Sequence, residues 1–247
     1  MLTLATIRPG EPEIFASLQG EGPSVGRPSV FIRLSRCNLA CVWCDTAYTW
    51  HFAGDERPHR DGVVYERAGN QMQMHEEDAA ARILALGSDR LVLTGGEPLL
   101  QAPAVARLLV LLRRDRPNFH LEVETNGTIA APAMLDPLID QFNVSPKLSH
   151  SGNAPGLALN PERLRTYADD PRAFFKFVVA DLQDAEAALA LQRDYSIASD
   201  RLFLMPEGTD SSTLLQRMQW LAPFCQQHGI RLSDRQHIHL FGDTRGT

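Results

Sequence analysis

Three of the four cysteines in this 247-residue chain lie within eight residues, in the segment CNLACVWC. Cys37, Cys41 and Cys44 have the spacing CxxxCxxC and follow a predicted strand, SVFIRLSR (29–36). Thiolates on a single loop bind soft metals, which means zinc or the irons of a cluster. Three thiolates on a four-iron cluster leave one iron without a protein ligand, so that this iron can bind and activate a small molecule.

A structural zinc site is the alternative, and it needs a fourth protein ligand. The candidates are His51, His59 and the distant Cys225. Cys225 lies beside Phe224 on the apparent buried side of a predicted helix, which is typical of a small core residue. We therefore favour the iron–sulfur cluster and expect Cys225 to belong to the core.

A second motif, LTGGEPLL (93–100), ends another predicted strand about fifty residues beyond the cysteines. Gly95 and Gly96 allow the backbone to approach a ligand closely, and Glu97 offers a carboxylate to a cationic amine. Taken alone, GGEP is typical of a turn before a helix. Its position after a strand, downstream of the cysteine loop, favours a binding role.

Short runs of β-branched and aromatic residues alternate with amphipathic segments along most of the chain. The predicted strands are 29–36, 90–95, 120–125, 141–146, 174–179 and 201–206. The predicted helices are 75–87, 102–115, 181–194 and 211–224. We expect Pro223 to bend or end the last helix. This alternation predicts an α/β fold with a mainly parallel sheet, and about six strands are too few for a closed barrel of eight, so we predict a partial βα barrel.

Residues 1–247 are expected to form one domain, because no Pro-, Gly- or Ser-rich linker divides them. The polar stretch 49–74 interrupts the alternation and is too long for an ordinary connection, so it predicts an insertion or lid. The 24 Lys and Arg residues against 30 Asp and Glu residues give a net charge of −6. That balance argues against direct binding to nucleic acid or to an anionic membrane.

The chain has no apolar run of about 18 residues and no export signal at its N-terminus, so we expect a soluble, cytoplasmic protein. Only two of its 24 cationic residues are lysines, Lys147 and Lys176. Both fall in or at the end of predicted strands, where a compact ammonium differs from a guanidinium. Lys176 is interpreted as a lysine at the rim of the core.

The cysteine spacing after the first central strand resembles the signature of the radical S-adenosylmethionine (SAM) superfamily, and LTGGEPLL resembles its second feature. The resemblance implies a 4Fe-4S cluster on the three cysteines with SAM on the open iron. Cleavage of SAM then gives a radical that removes a hydrogen atom from the substrate. VSPK (144–147) and MPEG (205–208) resemble further SAM-binding segments. The implied SAM contacts are Gly96, Glu97, Ser145, Pro146, Lys147, Met205, Pro206, Glu207 and Gly208.

The run SLQGEGPSVGRPSVFIRLSRCNLACVWCDT (17–46) narrows the resemblance to the 7-carboxy-7-deazaguanine synthase family. The resemblance implies that 6-carboxy-5,6,7,8-tetrahydropterin is converted to 7-carboxy-7-deazaguanine by ring contraction, with release of ammonia. Thr46 matches the family's Mg²⁺ ligand, and Arg33 is suited to pairing with the substrate carboxylate. Glu21 could accept from the pterin's guanidine-like nitrogens. The implied substrate contacts are Leu18, Gln19, Gly20, Arg33, Thr94 and Thr247.

The same resemblance implies a homodimer and an electron donor such as a flavodoxin or ferredoxin. Two other functions remain open at this point. One is a radical SAM activase that installs a glycyl radical on a partner protein, since such enzymes share CxxxCxxC and GGE. The other is a non-catalytic zinc- or RNA-binding module, which the acidic net charge and the lack of a basic, aromatic-rich face argue against.

Overall fold

A single twisted sheet of eleven strands organises the protein, in a computed structural model that describes residues 1–247. The strands are β1 (Leu2–Arg8), β2 (Glu11–Pro12), β3 (Ile14–Leu18), β4 (Pro28–Leu34), β5 (Gln71–Met74), β6 (Arg90–Gly95), β7 (His120–Thr125), β8 (Gln141–Val144), β9 (Ala173–Val179), β10 (Leu202–Pro206) and β11 (Arg231–Leu232). Their order along the sheet is β11-β10-β9-β8-β7-β6-β4-β1-β2, while β3 pairs with β4 and β5 pairs with β1.

The parallel part of the sheet consists of β4 and β6 to β11, and its two ends do not pair with each other. The six predicted strands coincide with β4 and β6 to β10, and the sheet does not close, so the prediction of an α/β fold with a partial barrel of about six parallel strands is confirmed. Their outward-facing residues are nearly all apolar and belong to one large core cluster beneath the helices. Strands that are buried on both faces consist of nearly continuous apolar residues, and the sequence predicts these strands for that reason.

Helices connect these strands. They are α1 (Arg67–Asn70), α2 (Glu76–Ala85), α3 (Ala102–Asp115), α4 (Pro155–Ala158), α5 (Pro161–Asp169), α6 (Leu182–Asp194), α7 (Ser211–His228) and α8 (Gln236–Phe241). None combines the length and the apolar character that crossing a bilayer requires.

Of the two effects expected of Pro223, a bend or an end, the end is wrong, because α7 continues to His228 and closes on Gly229 in the left-handed conformation. Leu214, Leu221 and Cys225 are buried on its inner face, and this packing outweighs the donor lost at the proline. Cys225 is 3% exposed and belongs to the main core, so its predicted structural role is confirmed.

The antiparallel strands β1, β2, β3 and β5 were not predicted. β1 pairs with β5 from Leu2 opposite Met74 to Ala5 opposite Gln71, so the last four residues of the polar stretch 49–74 belong to the main sheet. The rest of that stretch contains α1 and one isolated bridge, between Phe52 and Tyr65.

The opening of the barrel lies between β3 at one side of the sheet and β10 and β11 at the other. The loop after β3 crosses this opening. Gly22 donates its backbone N–H to Ser233 Oγ at 2.9 Å, and Gln236 donates its own to the carbonyl of Gly20 at 2.9 Å. A side chain at Gly20 would collide with His237, since a Cβ there would lie 2.3 Å from Nδ1. The two segments therefore approach each other closely enough to cover the gap.

Candidate active site

One cavity of ≈ 230 Å³ lies where the parallel strands end, which is the side on which barrel enzymes assemble their sites. Most of the residues predicted from the sequence line it: Leu18, Gln19, Gly20, Arg33, Cys37, Cys41, Cys44, Thr46, Thr94, Gly96, Ser145, Lys147, Met205, Pro206, Glu207, Gly208 and Thr247. Two predicted SAM contacts, Glu97 and Pro146, do not line it and are buried behind its wall.

The three clustered cysteines are free thiols that face this cavity together. Leu39 donates its backbone N–H to Cys37 Sγ at 3.4 Å, and Asn153 Nδ2 donates to Cys41 Sγ at 3.3 Å. Burial raises the pKa of Cys37 to about 12 and that of Cys41 to about 11. Buried thiols of this kind become thiolates when a cation takes the place of the proton, so the group suits a positively charged metal centre.

The spacing of the thiols favours a cluster over a single zinc ion. Thiolates around one tetrahedral zinc lie ~3.8 Å apart, given Zn–S bonds of about 2.3 Å. The only His, Cys, Asp or Glu trio in the chain with ligand atoms all within 4.8 Å of one another is that of His75, Glu76 and Glu77. At least two of the three cysteine sulfurs therefore lie more than 4.8 Å apart, which exceeds the spacing around one zinc ion and suits the larger four-iron cluster.

Gly95 and Gly96 let β6 pack against the start of the cysteine loop. A Cβ at Gly95, whose φ is +126°, would lie 2.0 Å from the carbonyl oxygen of Leu34, and one at Gly96 would lie 2.0 Å from that of Arg36. The backbone N–H groups of Gly96 and Glu97 donate to those same carbonyls, at 3.0 and 2.9 Å. The glycines thus fix the loop that carries Cys37, in addition to bordering the cavity.

The Glu97 carboxylate is fully buried and already satisfied by three neighbours. It accepts from the N–H of Leu99 at 3.0 Å, from the N–H of Asn126 at 2.8 Å and from Thr125 Oγ1 at 3.0 Å. Burial nevertheless raises the pKa of Glu97 to about 7, because desolvation outweighs these donors. The carboxyl group lies beside the cysteine loop without a cation of its own.

Lys147 and Glu207 also line the cavity. Lys147 Nζ donates to Ser145 Oγ at 2.8 Å and lies 5.8 Å from the ring centre of Trp43. Glu207 is held by Arg60 at 2.6 Å and by Arg217 at 2.5 Å. Arg60 belongs to the polar stretch 49–74, which therefore reaches the segment predicted to bind SAM.

Glu21 stands at the centre of a chain of buried charges that sequence reasoning missed. Its carboxylate pairs with Lys176 through Oε2 and with Arg235 through Oε1 at 3.0 Å. Arg235 also pairs with Asp45 and donates to the carbonyl of Gly208 at 2.6 Å. Both cations lower the pKa of Glu21 despite its burial. Lys176 was expected at the rim of the core. In the structure it also lines the cavity.

Arg33 lines the cavity as predicted, with its guanidinium anchored on the fully buried Glu13 at 2.8 Å. Tyr48 Oη donates to both oxygens of Glu13, at 3.1 and 3.0 Å. Thr46 Oγ1 lies 3.6 Å from Cys44 Sγ, so the predicted Mg²⁺ ligand is adjacent to one of the three predicted cluster ligands. No sequence spacing pointed to Glu13 or Tyr48, because their link to Arg33 exists only in the folded chain.

The amide of Gln19 makes three hydrogen bonds within the protein. Its Nε2 donates to Glu122 at 2.8 Å and to Glu124 at 3.2 Å, while its Oε1 accepts the backbone N–H of Glu21 at 3.1 Å. Thr94 Oγ1 donates to the other oxygen of Glu124 at 2.7 Å. Gln19 and Thr94 therefore hold the Glu124 carboxylate, which lines the cavity and retains free lone pairs.

A sequence model of the Radical SAM superfamily matches residues 31–212, so fold and site together define a radical SAM enzyme. The 7-carboxy-7-deazaguanine synthase of Pyrobaculum aerophilum is 37% identical over 95% of both chains, and that of Halobacterium salinarum is 36% identical over 95% of this chain and 91% of its own. The crystal structure of QueE from Escherichia coli superposes with a TM-score of 0.64, at 27% identity over 95% of both chains. The chain belongs to the 7-carboxy-7-deazaguanine synthase family.

Proposed function

We propose that the protein converts 6-carboxy-5,6,7,8-tetrahydropterin to 7-carboxy-7-deazaguanine with release of ammonia, as a radical SAM lyase of queuosine and 7-deazapurine biosynthesis. The observation that carries the proposal is the convergence of the three cysteine thiols and the substrate-type residues Gln19, Arg33 and Glu124 on one cavity. The identity of the chain to 7-carboxy-7-deazaguanine synthases extends over 95% of its length and supports the same reaction.

Cys37, Cys41 and Cys44 would hold a 4Fe-4S cluster, with SAM near Gly96, Ser145, Lys147 and the segment 205–208. When bound, the cluster and SAM supply one-electron chemistry that removes a hydrogen atom from the substrate. The protein's own task is to orient the two small molecules and to exclude water. The burial of the thiols supports this role, since each is at most partly accessible.

The substrate end of the cavity presents fixed charges of both signs. The Arg33 guanidinium is held in place by Glu13 and suits the carboxylate of the pterin. Glu124 offers oxygens to N–H donors of the ring. Thr46 would give Mg²⁺ a single hard oxygen ligand, with substrate and water completing the shell and the ion acting as a template.

Anaerobic product analysis tests the proposal directly. The reconstituted protein, given the carboxy-tetrahydropterin, SAM, Mg²⁺ and a reductant, should yield 7-carboxy-7-deazaguanine and one equivalent of ammonia. Cys41→Ala should lose both the visible absorption of the cluster and all turnover, whereas Cys225→Ala, altered in the core, should keep both. Absence of product from fully reconstituted wild-type protein would refute the proposed reaction.

The electron donor and the homodimer rest on the family resemblance, and the cytoplasmic location is proposed together with them. A flavodoxin or ferredoxin would supply the electron, and the four free cysteines suit a reducing compartment. Of the rival functions, a zinc module is disfavoured by the wide spacing of the sulfurs. The cavity is built for small molecules and lined by paired charges, which favours the pterin reaction over activation of a partner protein.

A further inference from the structure

A buried ion pair lies one layer below the residues that line the cavity. Arg90, at the start of β6, pairs with Glu122 of β7, whose side chain is fully buried. Side chains alternate along a strand, so Arg90 shares the inner face of β6 with Thr94, and Glu122 shares that of β7 with Glu124. Thr94 and Glu124 line the cavity, while Arg90 and Glu122 do not. The pair forms a polar floor to the pocket.

Glu122 is the acceptor on which two amides of the pocket converge. Gln19 Nε2 donates to its Oε1 at 2.8 Å, and Asn143 Nδ2 donates to the same oxygen. Arg90 completes the set on Oε2. An ionised carboxylate can only accept hydrogen bonds, so Gln19 and Asn143 must each direct the NH₂ group of the amide toward Glu122.

This orientation reaches the cavity wall through Gln19. With Nε2 directed to Glu122 and Glu124, its Oε1 is left to accept the N–H of Glu21 at 3.1 Å. Asn143 lines the cavity too, and its Oδ1 accepts from Gln141 at 3.0 Å. Replacing this acceptor by a donor at residue 122 would therefore disturb Gln19, Asn143 and Glu124 together.

We propose that the Arg90–Glu122 ion pair is a positioning element for substrate recognition, which fixes the amide orientations of Gln19 and Asn143 and thereby the geometry of Glu124. The inference rests on the proposed function, because it takes the pterin to bind against these residues. The stability of the fold does not require the ion pair, since replacing a buried ion pair by apolar residues of similar volume often leaves the free energy of unfolding unchanged or raises it. None of its hydrogen-bond partners belongs to the cysteine loop or to the segments 145–147 and 205–208.

Glu122→Gln tests the inference, because it keeps the shape but introduces an NH₂ group among donors. We expect the dissociation constant for the carboxy-tetrahydropterin, measured by anaerobic equilibrium dialysis of the reconstituted protein, to rise at least tenfold. The dissociation constant for SAM should stay within twofold, with unchanged iron content. Glu76→Gln is the matched control, since Glu76 is also a buried carboxylate paired with an arginine, Arg107, away from the cavity. It should change neither constant.

The double variant Arg90→Gln/Glu122→Gln guards against misfolding, since it removes both charges and leaves no unpaired buried ion. It should fold and still bind the pterin at least tenfold more weakly. Pterin binding within twofold of wild type in either folded variant overturns the inference, as does an equal weakening of pterin and SAM. Failure of the wild-type protein to bind the pterin would instead overturn the proposed function, and the inference with it.

Discussion

At the scale of single residues, the carboxyl group of Glu97 carries a predictable pH dependence. Its pKa of about 7 lies above its usual value of 4.5 because the group is buried. Between these values the folded chain holds a proton that the unfolded chain has released, so stability is greatest at low pH and falls as the pH rises. The loss from pH 5.5 to 8 amounts to about 2 kcal/mol.

Glu97→Gln should remove this contribution, because a neutral amide does not titrate. The measurement is the free energy of unfolding in urea, under anaerobic conditions and without SAM, for both proteins at pH 5.5 and 8. The variant should gain stability relative to wild type as the pH rises. A constant difference between the two proteins would show that the Glu97 carboxyl is ionised across the whole range.

At the scale of elements, the contact between β6 and the cysteine loop depends on Gly96. In Gly96→Ala the new Cβ would lie 2.0 Å from the carbonyl oxygen of Arg36 and 3.0 Å from Cys37 Cβ, so the loop must move. We expect iron and sulfide content after reconstitution to fall at least several-fold, although no ligand is altered. Gly156→Ala, where a Cβ meets nothing within 4 Å, should retain full content. Equal iron content in both variants would contradict the packing argument.

Arg245 connects the C-terminal segment to the polar stretch 49–74. Its guanidinium lies 3.5 Å from the ring centre of Tyr48 and 5.7 Å from that of Tyr65, and it donates to Asn70 Oδ1 at 2.9 Å. Thr247, two residues further on, lines the cavity. Cation–π contacts of this kind contribute up to about 2 kcal/mol when desolvated.

Arg245→Ala should therefore raise the KM for the pterin about tenfold, because the C-terminal segment loses its anchor, while the dissociation constant for SAM stays constant. Steady-state kinetics at saturating SAM measure the effect. Arg114→Ala, at an exposed arginine of α3, provides the control and should leave KM unchanged. A wild-type KM in Arg245→Ala would mean that Thr247 does not depend on this anchor or does not contact the substrate.

The elements differ in how well the sequence predicts them. The buried parallel strands and helices α2, α3, α6 and α7 were found because each carries a periodic apolar pattern. The antiparallel strands β1, β2, β3 and β5 do not belong to the strand–helix alternation, and β1 pairs with β5 across up to 72 residues of chain. The cysteine and glycine motifs were visible because local spacing defines them. The sequence does not predict a role for Arg235 in the site, because its carboxylate partners, Glu21 and Asp45, lie 214 and 190 residues away along the chain.

At the scale of the whole molecule, Glu21 closes the open side of the barrel. Glu21 belongs to the loop that crosses the opening. It pairs with Lys176, which lies in β9, and with Arg235, which lies just before α8. All three side chains are at most 12% exposed. Pairs buried to this extent are little affected by salt, and removal of one member leaves an uncompensated charge that costs about 3–5 kcal/mol.

Glu21→Gln should lower the free energy of unfolding by that amount, because it removes the paired anion of Lys176 and leaves Arg235 paired with Asp45 alone. Amide hydrogen exchange should accelerate in the loop 19–26 and in residues 233–237. These segments are joined across the opening by the Glu21–Arg235 pair, by the hydrogen bond from the Gly22 N–H to Ser233 Oγ and by that from the Gln236 N–H to the Gly20 carbonyl. Glu11→Gln, at an exposed pair with Arg8, is the matched control and should cost less than about 0.5 kcal/mol. If Glu21→Gln is as stable as this control and exchange in both segments is unchanged, the barrel is closed by its backbone contacts and the charges serve the ligand alone.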